Sequence, residues 1–166
     1  MAANPIPDTH FWLVKSEPES YGIDHLKADK KTAWTGVRNF LARNYMQQGM
    51  HKGDSILFYH SSCKVPGVYG LAKVDSSAPY PDPSQFDKTN AAGKENKYFE
   101  PRATKEKPVW FCVDIAFVKK LKEPVTITDM RKNPKLKSMA LLQPGSRLSI
   151  TPVSEEHFNE IMSFAN

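Results

Sequence analysis

The residues with most chemical potential in this chain are Lys15-Ser16-Glu17, inside the stretch FWLVKSEPES from Phe11 to Ser20. An aromatic, branched run stops there in a cation, a hydroxyl and a carboxylate, with Pro18 behind them. Ser16 can donate and accept a hydrogen bond and Glu17 can accept two, a combination suited to reading the edge of a nucleobase or an amide. Side chains alternate along a strand, so Lys15 and Glu17 share one face and Ser16 takes the other if the strand runs straight. The plainer alternative is a solvated strand end, with Glu17 or Glu19 favouring the following helix through its dipole.

Trp34 stands before Thr35-Gly36 among polar neighbours, a poor place to bury an indole and a good one for a stacking wall. Trp12 and Trp110 lie in apolar runs, where core is the default. Tyr59-His60-Ser61 ends another strand-like run in three polar tips, the pattern of a pocket mouth, and Tyr80-Pro81-Asp82 opens a long irregular segment as a lid would. No dinucleotide-binding glycine motif, phosphate-binding loop, nucleophile elbow or zinc-protease helix is present. His10, His25, His51, His60 and His157 show no metal-ligand spacing with one another or with cysteine, so neither a metal nor a cofactor is expected.

Short strands and loops must position these groups. Phe11–Val14 reads as a buried strand, and Ser20–Lys27 as a short helix at best. Within Thr32–Met46, Val37, Leu41 and Tyr45 recur at i, i+4 and i+8, which predicts one apolar helix face with Arg38 and Asn39 in its first turn and Arg43 off the stripe. Ser55–His60 and Gly67–Val74 follow turn residues and read as strands. From 79 to 108 the chain has five prolines and little periodicity, a loop of functional rather than linker character, because a strand pattern resumes at once. That strand, Val109–Leu121, is apolar on both faces and is expected at the centre of a sheet. Helical turns broken at Pro134, a last strand in SRLSITPV, and a helix capped by Ser154 with Phe158, Ile161 and Met162 inward complete the chain. The pattern predicts a small mixed α+β domain on a partly closed β-barrel, with a tail over 1–10 and one domain over 11–166.

The 166 residues suit one domain, two at most, and 40% apolar against 25% charged residues excludes disorder and coiled coil. No apolar run approaches the roughly 20 residues of a membrane helix, and MAANPIPDTH lacks the marks of a secretory signal. Cys63 and Cys112 lie far apart, which argues for a reducing compartment and against a disulfide framework. The net charge of +5 is regional. Lys88–Lys137 holds 13 Lys/Arg against 6 Asp/Glu, and the remainder 10 against 12. Such a patch is the footprint of a polyanion binder, or only a device for solubility.

Taken in order, FWLVKSEP, TAWTGVRNFLARNYMQQGMHKGD, LFYHS, PGVYGLAKV, YPDPSQFD, VWFCVDI and LLQPGSRLSITPV resemble the EVE domain, a family of PUA-like fold. Seven blocks in the right order cover roughly Phe11 to Ile161. The resemblance implies a pseudo-barrel of about five or six strands with flanking short helices, and a pocket that receives a modified nucleobase, above all modified cytosine in DNA, or modified RNA. By position it implies a pocket of Trp12, Lys15, Ser16, Glu17, Trp34, Arg38 and Asn39, joined by Tyr59, His60, Ser61, Tyr80 and Asp82, with Arg43 and Arg147 toward phosphate. Where family members commonly have Tyr-Tyr-Asp-Pro, this chain has Tyr98-Phe99-Glu100-Pro101, so no role is expected of Phe99 or Glu100. The implied partner is a nucleic acid, single-stranded or with its base flipped out, and no membrane. Only about ten residues precede the resemblance, so a bacterial cytoplasmic setting is expected, nuclear in a eukaryote. The rival reading is an enzyme. ASCH domains, which resemble PUA-like folds, include amidohydrolases of acylated nucleosides with a Lys, a hydroxyl and a carboxylate at the site. Lys15, Ser16 and Glu17 supply those types, but a nucleophile and its base normally come from separate segments. A barrel holding another small ligand is the third reading.

Overall fold

The computed structural model describes residues 6–165. In chain order the strands are β1 (Phe11–Ser16), β2 (Lys31–Ala33), β3 (Ser55–His60), β4 (Gly67–Val74), β5 (Tyr80–Pro81), β6 (Phe111–Cys112), β7 (Asp114–Thr126) and β8 (Ile150–Pro152). The helices are α1 (Pro18–Tyr21), α2 (Ile23–Asp29), α3 (Phe40–Asn44), α4 (Ile127–Lys132) and α5 (Glu155–Phe164). Six strands form one sheet in the order β2-β7-β4-β3-β1-β8, curled into a half-barrel, while β5 and β6 pair as a separate ribbon. The fold is mixed α+β. β1 and β3 are parallel neighbours, and the other pairs in the sheet are antiparallel.

Trp12, Leu13 and Val14 are all fully buried because both faces of β1 are covered. Trp12 and Val14 join Ile56 and Phe58 in one core, closed by Ile23 and Leu26 of α2 and by Ala42 and Met46. Leu13 joins Leu57 and Tyr59 in a second core on the opposite face, closed by Met130 of α4 and Ile161 of α5. The Ser154 hydroxyl caps α5 as expected, accepting from the His157 amide.

Two expectations need correction. The helix after Trp34 starts at Phe40, not Val37, because Gly36 has a positive φ of 86° and the Asn39 side chain caps α3 by accepting from the Leu41 and Ala42 amides. α3 then runs into a π-helical turn, Tyr45–Gly49, and along the two Ala42, Met46 and Gly49 are buried while Leu41 and Tyr45 are only half-buried, so no Val37-Leu41-Tyr45 helix stripe forms. The long strand is likewise shifted. β6 ends at Cys112, and β7 continues from Asp114 to Thr126 as the next-to-outermost strand. Its neighbour β2 has only three residues, so most of its length lies at the sheet edge, where Lys119, Lys120 and Lys122 are exposed. Cys63 and Cys112 are free thiols. No helix among the described residues is long and apolar enough to cross a membrane.

Candidate functional site

The end of the sheet where β1 stops opens into a cleft of about 540 Å³. Three separated stretches wall it: Lys15-Ser16-Glu17, the loop through Trp34 to Asn39, and Lys97-Tyr98 from the long loop, with Arg147 and Ser149 ahead of β8 closing it. All three residues of the opening triplet reach the cleft. The strand ends at Ser16 and the chain turns into Pro18 at once, so straight-strand alternation no longer separates them. The Trp34 amide donates to the Val113 carbonyl at 2.8 Å, and its ring stands edge-on to Phe58 and Tyr21, at 5.7 and 6.2 Å between centroids.

Four cations, Lys15, Arg38, Lys97 and Arg147, face a single carboxylate, Glu17. Burial pushes the Lys15 ammonium below its usual pKa. The side chains of Lys15, Lys97 and Arg147 have no ion-pair or hydrogen-bond partner among the described residues; Lys97 only rides over the Tyr98 ring at 5.0 Å. Arg38 differs. Its guanidinium donates to Asp82 at 3.1 Å, to the Ser84 hydroxyl at 3.1 Å and to the Tyr98 carbonyl at 2.8 Å.

Asp82 is fully buried and sits behind the cleft rather than in it. It also accepts from the Gly36 amide at 2.8 Å and from the Ser84 amide and hydroxyl at 2.8 and 2.6 Å. Asp82 and Arg38 therefore clamp the Trp34–Asn39 loop to the long loop. Gly36 is needed in this clamp: a Cβ there would stand 3.1 Å from the Tyr98 ring, on a backbone that L side chains rarely adopt.

Several residues named from the sequence lie elsewhere. Trp12 is fully buried and its indole donates to Asp54 at 3.0 Å, so it has no face to offer a ligand. Tyr59 points into the second core, and burial raises its phenol pKa. His60 is buried, accepts from the Ile23 amide at 3.1 Å and stacks on Tyr69 at 4.1 Å, and burial holds its pKa below the usual histidine value. Ser61 is outside the cleft, its amide donating to the Ser16 carbonyl at 2.9 Å. The Tyr80 hydroxyl donates to Asp114, and burial raises its pKa further. Arg43 is no free phosphate ligand: it donates to Asn44 and to the Val109 carbonyl, and lies 4.8 Å over the Phe40 ring. Ser16 and Asn39 line the cleft but are partly committed, the Ser16 hydroxyl to the Tyr21 carbonyl and the Asn39 oxygen to the cap of α3. Tyr21, Lys97, Tyr98 and Ser149 line the cleft without having been singled out. Of these only Tyr98 carries a signal in the sequence, as the tyrosine kept in the Tyr98-Phe99-Glu100-Pro101 block beside its two altered positions.

A family model described as the EVE domain matches residues 10–164. The chain belongs to the EVE domain family. This EVE domain is 37% identical over 171 residues to human thymocyte nuclear protein 1, covering 92% of the chain and 72% of that protein. Among solved structures, a hypothetical protein from Leishmania major is 41% identical with a TM-score of 0.83, over 96% of each chain. A human THYN1 protein in complex with 5-methylcytosine-containing DNA is 35% identical with a TM-score of 0.80, over 92% of this chain and 95% of that one. An ASCH protein from Zymomonas mobilis, 10% identical with a TM-score of 0.54 over 95% of this chain and 99% of that one, shares the fold alone. The half-barrel of this EVE domain is thus the PUA-like fold.

Proposed function

We propose that this EVE domain is a non-catalytic nucleic-acid-binding module that admits one modified base, with modified cytosine favoured, to the cleft beside Trp34. The observation that carries the reading is the pairing of Trp34 and Tyr98 with three uncommitted cations, Lys15, Lys97 and Arg147, in one cleft of about 540 Å³. A base stacked on an aromatic ring gains roughly 1–3 kcal/mol. Taking it out of a duplex costs a few kcal/mol, so phosphate contacts must supply the surplus and binding must weaken with salt. Glu17 lines the cleft, and a carboxylate there can accept from an exocyclic amine such as that of cytosine. The relative crystallised with 5-methylcytosine-containing DNA supports this ligand class. Against catalysis stands Ser16: its hydroxyl donates to the Tyr21 backbone carbonyl, and no side-chain base among the described residues hydrogen-bonds to it.

The test is a titration of short strands carrying cytosine or 5-methylcytosine at two salt concentrations, with wild type beside Trp34→Ala and Tyr98→Leu. The modified strand should bind more tightly, high salt should weaken both strands, and each folded variant should lose the preference. A folded Trp34→Ala that binds the modified strand as tightly as wild type overturns the proposal. Release of acetate from N4-acetylcytidine, abolished by Lys15→Ala, would put the enzyme reading in its place.

A further inference from the structure

Arg43, which the resemblance places toward phosphate, and Arg38 of the implied pocket are both committed within the protein. We propose that Arg131, Lys132 and Lys137 form a second seat, for phosphates that flank the base held in the cleft; this rests on the nucleic-acid reading above. The three side chains converge on a hollow of about 380 Å³, with Asn133, Pro134 and Leu142 and without any carboxylate in its lining. None of the three has an ion-pair or hydrogen-bond partner from its side chain among the described residues, whereas the neighbouring Lys135 is paired with Glu160 at 3.7 Å. The α4 dipole accounts for cations at Arg131 and Lys132 in its last turn. It does not account for Lys137, which follows the separate 3-10 turn Pro134–Leu136 and yet turns to the same hollow.

The corner is built before any ligand arrives. The Asn133 oxygen accepts from the Lys135 amide at 2.9 Å, and the Gln143 side chain donates to the Lys137 and Met139 carbonyls at 3.0 and 2.9 Å. Pro134 and Leu142 add an apolar share to the lining, against which a sugar can rest. Its position suits a strand leaving the cleft. Ser16, His60, Gly67 and Thr126 stand abreast on four neighbouring strands, and α4 begins directly after Thr126. The chain from Leu142 of this hollow to Arg147 of the cleft spans five steps, at most about 18 Å, the length of roughly five stacked nucleotides.

The experiment compares wild type with Arg131→Gln/Lys132→Gln/Lys137→Gln, all exposed positions, on single strands of 12 and of 3 nucleotides carrying a central cytosine or 5-methylcytosine. On the 12-mer the slope of log K against log salt should fall by about 2, at about 0.7 per lost contact, with the preference for the modified base unchanged. On the 3-mer the two proteins should bind alike. Equal slopes and affinities on the 12-mer overturn the second seat, whatever the base preference. A smaller slope in the variant with no base preference in either protein keeps the seat and overturns the base reading. No binding by wild type at low salt overturns both.

Discussion

At the scale of single residues, the cleft depends on a carboxylate that does not line it. Asp82 is fully buried and holds the Gly36 amide, the Arg38 guanidinium and Ser84 together. Breaking a buried pair by removing one partner leaves an uncompensated charge and costs about 3–5 kcal/mol. Asp82→Ala should therefore lower the urea midpoint by the equivalent of at least about 3 kcal/mol, while Arg38→Ala/Asp82→Ala should cost less than the two single changes summed. Additive losses would show that the clamp has no energetic coupling. Residue type in the sequence pointed to both members of this clamp. It could not distinguish a ligand contact from a brace, because Arg and Asp suit either use, and only the fold decides what lies within hydrogen-bond reach of them. Arg43 and His60 were displaced from the site for the same reason: polar in sequence, but met in space by Val109 and Ile23 backbone groups.

At the scale of elements, the pairing of β4 with β7 sets where α4 begins. Gly67 pairs with Thr126, and a Cβ on Gly67 would fall 2.5 Å from the Val125 carbonyl oxygen and 2.8 Å from the Thr126 Cα. Backbone cannot yield as a flexible side chain can, so Gly67→Ala should sit at or above the upper end of the roughly 1–3 kcal/mol typical of overpacking. A thermal unfolding midpoint unchanged by Gly67→Ala would contradict that spacing. β1, β3, β4 and α5 were legible because alternation and capping act over a few residues. The start of α3 was not, since Val37 is buried as part of a loop, and burial leaves the same apolar mark whatever the backbone does. The end of β7 past Leu121 was missed because the exposed Lys122 and Glu123 look like a strand end but mark a strand whose far half has no neighbour on one side.

At the scale of the whole molecule, stability should depend on pH through His60, which ties β3 to α2 as a neutral acceptor. Burial lowers its pKa in the folded state, so the unfolded chain binds the proton more readily. The stability it confers is complete above the unfolded value of about 6.5, and is lost as pH falls through that value toward the depressed folded one. Urea midpoints should fall between pH 7.5 and 5, by no more than about 1.4 kcal/mol per pH unit for this one proton, and His60→Gln should flatten that part of the curve. Equal slopes in the two proteins would exclude His60 as the source. The family resemblance made the fold legible across nearly the whole chain, whereas the distribution of free charge had to wait for the side-chain partners. The order of strands has a further consequence, for synthesis. β1 lies between β3 and β8, and the Lys15 amide donates to the Ser149 carbonyl at 2.8 Å, so β1 finds one of its two neighbours only in a strand made much later. A nascent chain stopped before Arg147 carries Lys15, Trp34 and Tyr98 but leaves one edge of β1 unpaired and one wall of the cleft unbuilt. On the ribosome, the cleft is complete only once Arg147 and β8 have emerged.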